Sequence, residues 1–290
     1  MEVEGRIFRM NPYETIVEVT GDTSLSVLPG VECLNPDDEE NCRVYRRVFK
    51  KKRIYLPGEY KRAVSEQLLG LDNILVFGMS GYSLLTPEQC RAWGVKVGAY
   101  ESACGAILRG VVHHLREQFI GVDVRIAHGA SNMGIDKAAI NVGRHLIRPQ
   151  LGHSCPEFMF YVADDDIPVY VARTQAEYSR AFIQSLDILI VANGRVQAFE
   201  HDIDAAFRFH KHIIPINVLK SISATGGPPA FNANGGIEDA VAAMEYLVHP
   251  TNLSGSRGRD TFDELCRHVN ETTVAIARQI LSPECAFGRL

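Results

Sequence analysis

The sequence predicts an α/β fold, a Rossmann-like and mostly parallel sheet flanked by helices, with a small β-rich N-terminal extension. Three observations carry this expectation. From Glu59 onward, short apolar runs alternate with segments of helical periodicity. The apolar runs end in glycine- or asparagine-bearing turns, and capping sequences mark where the next helices begin.

Residues 1–58 have a different texture. Thr15-Ile16-Val17-Glu18-Val19 alternates polar and apolar side chains, and Asn11-Pro12, Gly21-Asp22 and Pro29-Gly30 are turn signals. This predicts a β-rich extension over 1–58 and a Rossmann-like domain with C-terminal helices over 59–290. Within that domain the first buried strand is expected at Asn73–Gly78, ending in Gly78-Met79-Ser80-Gly81. Thr86-Pro87-Glu88-Gln89 then combines an N-cap, a proline at the first helical position and a capping-box Gln. A second strand, Val122–Ala127, runs into His128-Gly129-Ala130-Ser131-Asn132-Met133-Gly134 and a helix over 135–147. Strands are expected at Phe158–Ala163 and Ile167–Ala172, on either side of Asp164-Asp165-Asp166. Thr174 and Glu177 begin a helix reaching Ser185, and the strand Asp187–Ala192 opens into Asn193-Gly194-Arg195. A helix over about 198–210 and a strand at His212–Asn217 complete the βαβ rhythm. Ser221–Gly236, rich in Gly, Pro, Ser and Asn, reads as either a functional lid or a disordered excursion, and helices near 237–248 and 260–281 close the chain.

Composition narrows the function classes. Of the 290 residues 46% are hydrophobic and 22% charged, and no apolar run approaches the roughly 20 residues needed to span a bilayer, so no membrane partner is expected. The opening MEVEGRIFRM lacks the basic and apolar regions of a secretory signal, which predicts a cytoplasmic protein. A formal charge of −5 gives no basic face for nucleic acid, and the short run Lys50–Arg53 follows the acidic Asp37–Glu40. The 7 cysteines are odd in number and contain no C-x-x-C pair, so reduced thiols are expected. Asp164-Asp165-Asp166 reads as a solvated turn and His210-x-His212 lacks partners for tetrahedral ligation, so neither a metal nor a cofactor is expected.

In parallel sheets, ligands collect beyond the carboxyl ends of strands, where the first turns of helices direct unpaired N–H groups outward. Three such ends carry suitable residues: Gly78, Ser80 and Gly81; His128, Gly129, Ser131, Asn132 and Gly134; and Asn193 and Gly194 with Gln197. Glycine admits close backbone approach, and a helix N-terminus favours an anion, so a phosphorylated small molecule is the expected ligand and a nucleotide its leading candidate. Neither G-x-G-x-x-G nor the Walker pattern is present. Asp136 is placed to bond ribose hydroxyls or a base edge, and Arg195 to clamp a phosphate. Glu200 and Asp202 flank a helix start, where a carboxylate can stabilise the positive charge that develops when an N-glycosidic bond breaks. His153-Ser154-Cys155-Pro156 reads as an unusual turn near the cleft.

Over about residues 70–220, the turns H-G-A-S-N-M-G-I-D from His128 and A-N-G-R-V-Q-A-F-E from Ala192 resemble those of the LOG-type phosphoribohydrolases. These are the Rossmann-like proteins long described as lysine decarboxylases. That family uses G-G-G-x-x-G-[LM]-M and P-G-G-x-G-T-x-x-E turns to enclose a nucleoside monophosphate. The resemblance implies cleavage of the bond between base and ribose phosphate, with Glu200 as the catalytic carboxylate beside Asp202 and Arg195, and a homodimer or larger assembly. The chain departs from the pattern where the second turn lacks its proline, Gln197 takes the Thr position, and the family arginine position falls near Tyr178. Two other functions remain open: sensing of a nucleotide signal without turnover, and a biosynthetic elimination or condensation on a small amine.

Overall fold

Ile74–Gly81 forms the central strand, buried along nearly its whole length, because it is covered by helices on both faces and paired on both edges. The computed structural model describes residues 54–68, 73–82, 85–147, 151–155, 167–193, 202–203, 205–224 and 261–282. The expectations for 1–53, for a strand at Phe158–Ala163, for residues 225–236 of the lid and for a helix at 237–248 lie outside these residues. So do those for Gly194, Arg195, Gln197 and Glu200.

The described elements run β1 (Ile54–Tyr55), a 3-10 turn (Pro57–Glu59), α1 (Tyr60–Leu68), β2 (Ile74–Gly81), α2 (Pro87–Ala92), α3 (Ala99–Gln118), β3 (Asp123–Ala127) and α4 (Gly134–Leu146). They continue with β4 (Gly152–Ser154), β5 (Val169–Val171), α5 (Gln175–Gln184), β6 (Ile188–Ala192), β7 (His212–Ile216), α6 (Val218–Ile222) and α7 (Phe262–Ile280). Residues 202–203 and 205–208 are helical as well. Every pairing among the described strands is parallel. A four-stranded sheet has the order β3-β2-β6-β7, a three-stranded sheet the order β1-β5-β4, and an isolated parallel bridge between His128 and Gly152 joins the two. The α/β class and the parallel sheet expected from the sequence are therefore what the chain forms.

Local chemistry explains the helix starts. The Thr86 hydroxyl accepts from the Gln89 amide at 3.2 Å while the Gln89 side chain accepts from the Thr86 amide at 2.9 Å, closing the expected capping box. The Thr174 hydroxyl accepts from the Glu177 amide, but the Glu177 carboxylate turns to the Arg173 amide at 2.9 Å, so the capping box expected there stays one-sided; Thr261 accepts from Glu264 ahead of α7. Helices α3, α4 and α7 bury their apolar stripes on one face of the sheet, around Leu108, Val112, Ile126 and Val269. Phe182, Ile183 and Leu186, at and beyond the end of α5, pack with Ile203 and Ala206 on the other.

Two expectations are corrected by pairing that the local sequence does not encode. β2 does not stop at Gly78 but continues to Gly81, because Ser80 and Gly81 pair with Val191 and Ala192 of β6. The stretch His153-Ser154-Cys155 is no turn: Gly152–Ser154 is a buried strand held by β5. Its residues form no apolar run, and long-range pairing overrides their weak strand propensity. Ile54 and Tyr55 pair with Val169 and Tyr170, so the last residues of the expected N-terminal extension belong to the sheet.

Gly78 is explained by packing. A Cβ built there lies 2.8 Å from Leu186 Cδ2 and 3.1 Å from Phe182 Cζ. Gly78→Val should therefore destabilise the fold by about 1–3 kcal/mol through overpacking, seen as a lower denaturant midpoint in an equilibrium unfolding curve. Combining it with Leu186→Ala should recover part of that loss, which two independent lesions would not do.

Candidate functional site

β2 has β3 on one side and β6 on the other; the chain leaves β2 towards β3 and leaves β6 towards β7. The connections therefore diverge between β2 and β6, the switch point at whose carboxyl ends α/β sheets form their ligand crevice. Ser80, near the end of β2, donates its hydroxyl to Asp202 Oδ2 at 2.6 Å, and both residues are buried. A carboxylate taken this far from water needs such a donor, and the bond fixes Asp202 at the floor of the crevice.

The turn after β3 forms the adjoining wall. The Gly129 amide donates to Asp136 Oδ1 at 2.6 Å, the Ser131 amide also serves Asp136, and the Gly134 amide donates to Glu101 Oε1 of α3 at 3.1 Å. The Ala130 amide donates to His128 Nδ1 at 3.0 Å. Ala130 holds a positive φ of 58° to turn the chain back on itself. A Cβ at Gly129 would collide with the Asp136 carboxylate and the Tyr178 hydroxyl, so glycine is required there by a close approach of polar groups. The Ser131 hydroxyl is buried in the same turn without a hydrogen-bond partner. Asn132 points the other way and is exposed.

These contacts set the electrostatics. Asp136 is half-buried as a residue, yet its carboxyl is enclosed well enough to be raised from 3.8 to about 7. Burial is the main cause; the Gly129 and Ser131 amides oppose it, and the charge of Asp202 adds to it. Tyr178 of α5, stacked on Phe182, is pushed well above the ordinary phenol value by burial first and then by Asp136 and Asp202. It keeps its proton throughout the working pH range and serves as a donor. The site therefore holds two neighbouring carboxyls, one retaining its proton near neutrality, with a hydroxyl and a phenol beside them.

The remaining residues expected at the site take structural roles. Gly81 is closed over by Tyr100, Ile135 and the Ala192 carbonyl, which the Tyr100 hydroxyl also donates to. Asn193, in left-handed conformation at φ 56°, ties β6 to the end of β7: its amide nitrogen donates to Asn217 Oδ1 at 3.0 Å and its oxygen accepts from the Leu219 amide at 3.0 Å. Together with Gly78 these residues bring strands and helices into close contact at the strand ends. The expectation of free amides converging on an anion is likewise altered, because carboxylates of the chain itself occupy the amides of Gly129, Ser131 and Gly134. Tyr178 and Glu101 are the contributors that sequence reasoning did not assign to the site. Glu101 precedes Gly134 by 33 residues, so no local pattern announces the contact.

Behind His128, His153 is fully buried among Tyr60, Tyr170 and Phe182, and neither of its ring nitrogens finds a hydrogen bond of normal geometry. Burial and then the neighbouring His128 lower it to about 3, against the opposing influence of the His128 backbone. It is thus a neutral imidazole packed as an aromatic. Among the described residues no group of three His, Cys, Asp or Glu side chains is arranged to hold a metal ion, and no helix is long and apolar enough to cross a membrane.

Because Asp136 binds its proton more tightly folded than unfolded, its contribution to stability is complete below pH about 4 and is lost as the pH rises through about 7. His153 slopes the other way, its contribution being lost as the pH falls from about 6.5 towards 3. Asp136→Asn should remove only the first slope. Thermal melts from pH 4 to 8 should show the stability of the wild type relative to the variant falling with pH, by on the order of 1–2 kcal/mol once the half-exposed position is discounted for water.

No family model matches the chain, and no curated protein matches it. Among solved structures, the chain is similar to the molybdenum cofactor binding protein from the phototrophic bacterium Rippkaea orientalis. The match covers 62% of this chain and 99% of that one at 12% identity, with a TM-score of 0.36.

Proposed function

We propose that this protein hydrolyses the N-glycosidic bond of a ribosyl compound of the nucleotide type in the crevice between β2, β3 and β6. The observation that carries the reading is the pairing of Asp136, whose carboxyl keeps a proton up to about pH 7, with Asp202 held by Ser80. Two neighbouring carboxyls in different protonation states are what glycosidic cleavage requires. Asp136 gives its proton to the departing base as the bond from C1′ to nitrogen breaks. The Asp202 carboxyl, held in place by Ser80, offsets the positive charge developing on the ribosyl ring. Water then adds its oxygen to C1′ and returns a proton to Asp136, so the atoms and the proton balance. Glu200 and Arg195 fall in the turn that the LOG-like resemblance makes catalytic, and they complete the site in this reading. A cytosolic homodimer belongs to the same proposal.

The second reading is recognition of a nucleotide-derived signal without turnover. It is favoured by Tyr178, which stands where the resembled family places an arginine and cannot supply that positive charge at any pH.

Incubation with a panel of nucleosides, nucleoside monophosphates and NAD, followed by chromatography of the free base, tests the hydrolytic reading. Base release is expected, reduced about 10²–10⁴-fold in Asp136→Asn and also strongly in Asp202→Asn. The kcat/KM of the wild type should fall as the pH rises through about 7, and that limb should be missing in Asp136→Asn. Thermal stabilisation by a nucleotide without any base release would instead establish the sensing reading.

A further inference from the structure

The turn Gly129–Gly134 has the shape of an anion-binding loop and the wrong contents for one. The amides of Gly129 and Ser131 are taken by Asp136, that of Ala130 by His128 Nδ1, and that of Gly134 by Glu101. A phosphate entering here would have to displace a carboxylate from each of these bonds except the one made to His128. It would also lie against Asp202, whose buried hydrogen bond to Ser80 keeps it in place. On the β2 side, the space at Gly81 that could admit a phosphate is filled by Tyr100 and Ile135. Among the described residues, the polar groups on offer are acceptors, Asp136 and Asp202, together with the hydroxyls of Tyr178 and Ser131. The Ser131 hydroxyl is buried without a partner in the same turn, so it lacks a bond that a ligand hydroxyl can supply.

Resting on the ribosyl reading above, we infer that this crevice selects unphosphorylated ribosyl compounds, taking the sugar hydroxyls of a nucleoside against Asp136, Asp202 and Ser131 and disfavouring the corresponding 5′-monophosphate. Hydroxyl groups suit a site of this composition because they donate to carboxylates and accept from the serine and tyrosine. A phosphate brings negative charge towards a pair of acids and takes amides already held by carboxyl groups, in a region partly shielded from water where like-charge contacts cost far more than in bulk solvent.

The test is calorimetric titration of the full-length protein at pH 7.5 and fixed ionic strength with adenosine, guanosine, cytidine, uridine and each of their 5′-monophosphates. At least one nucleoside should bind about 10-fold or more tightly than its monophosphate. Glu101→Gln keeps the acceptor for the Gly134 amide and removes a charge, so the affinity for the monophosphate relative to its nucleoside should rise several-fold. Asp136→Asn should narrow the ratio further. If Asp136→Asn is poorly folded, the Glu101→Gln comparison decides alone. A monophosphate that binds more tightly than its nucleoside and is cleaved overturns this inference and leaves the hydrolytic function standing, as does a ratio that neither variant moves. Failure of every nucleoside and monophosphate to bind overturns both.

Discussion

The carboxylate of Asp136 closes the turn that follows β3. By accepting from the amides of Gly129 and Ser131 it does the work that a bound anion does in many α/β proteins, and it fixes the backbone from within. That contact obliges residue 129 to be glycine, brings Tyr178 against the same point, and encloses the carboxyl enough to raise it towards neutrality. Geometry and acidity at this place have one cause. A looser turn would return Asp136 to water and to the ordinary carboxylate range, and the crevice would lose its proton donor along with its wall.

The second element is the divergence of connections between β2 and β6. Ser80 ends one strand and Asp202 follows the other, so a hydrogen bond between residues 122 apart in sequence spans the point where the fold splits. The glycines and the asparagine around it serve this convergence by other means. Gly78 lets Leu186 and Phe182 approach β2, Gly81 admits Tyr100, and Asn193 binds β6 to Asn217. Residue types associated with ligand loops here bring helices and strands close enough for two acids to meet.

What the sequence makes legible is whatever is local. Thr86-Pro87-Glu88-Gln89 and Thr174 with Glu177 can be read because their hydrogen bonds close within four residues. β6 can be read because a strand covered on both faces must be apolar throughout. β4 escapes such reading: glycine, histidine and serine become a strand only because β5 and His128 supply the partners. At the site, Asp136 and Asp202 stand out as acids near helix starts, but the occupant of the Gly129 amide is decided by a side chain seven residues on, in a direction that no periodicity specifies. Glycines at strand ends suggest open cradles, and whether such a cradle is open or filled depends on Tyr100 and Ile135, which lie far away in the chain.

Among the described residues the two sheets meet at the bridge between His128 and Gly152, where the His153 amide donates to the His128 carbonyl at 3.0 Å. Side-chain packing adds to that attachment, and beside the seam lies a histidine whose ring makes no hydrogen bond. A seam with so few backbone bonds is where partial opening of an α/β layer would begin. Since the wall bearing Gly129 begins at that seam, a ligand seated against it would brace one sheet against the other.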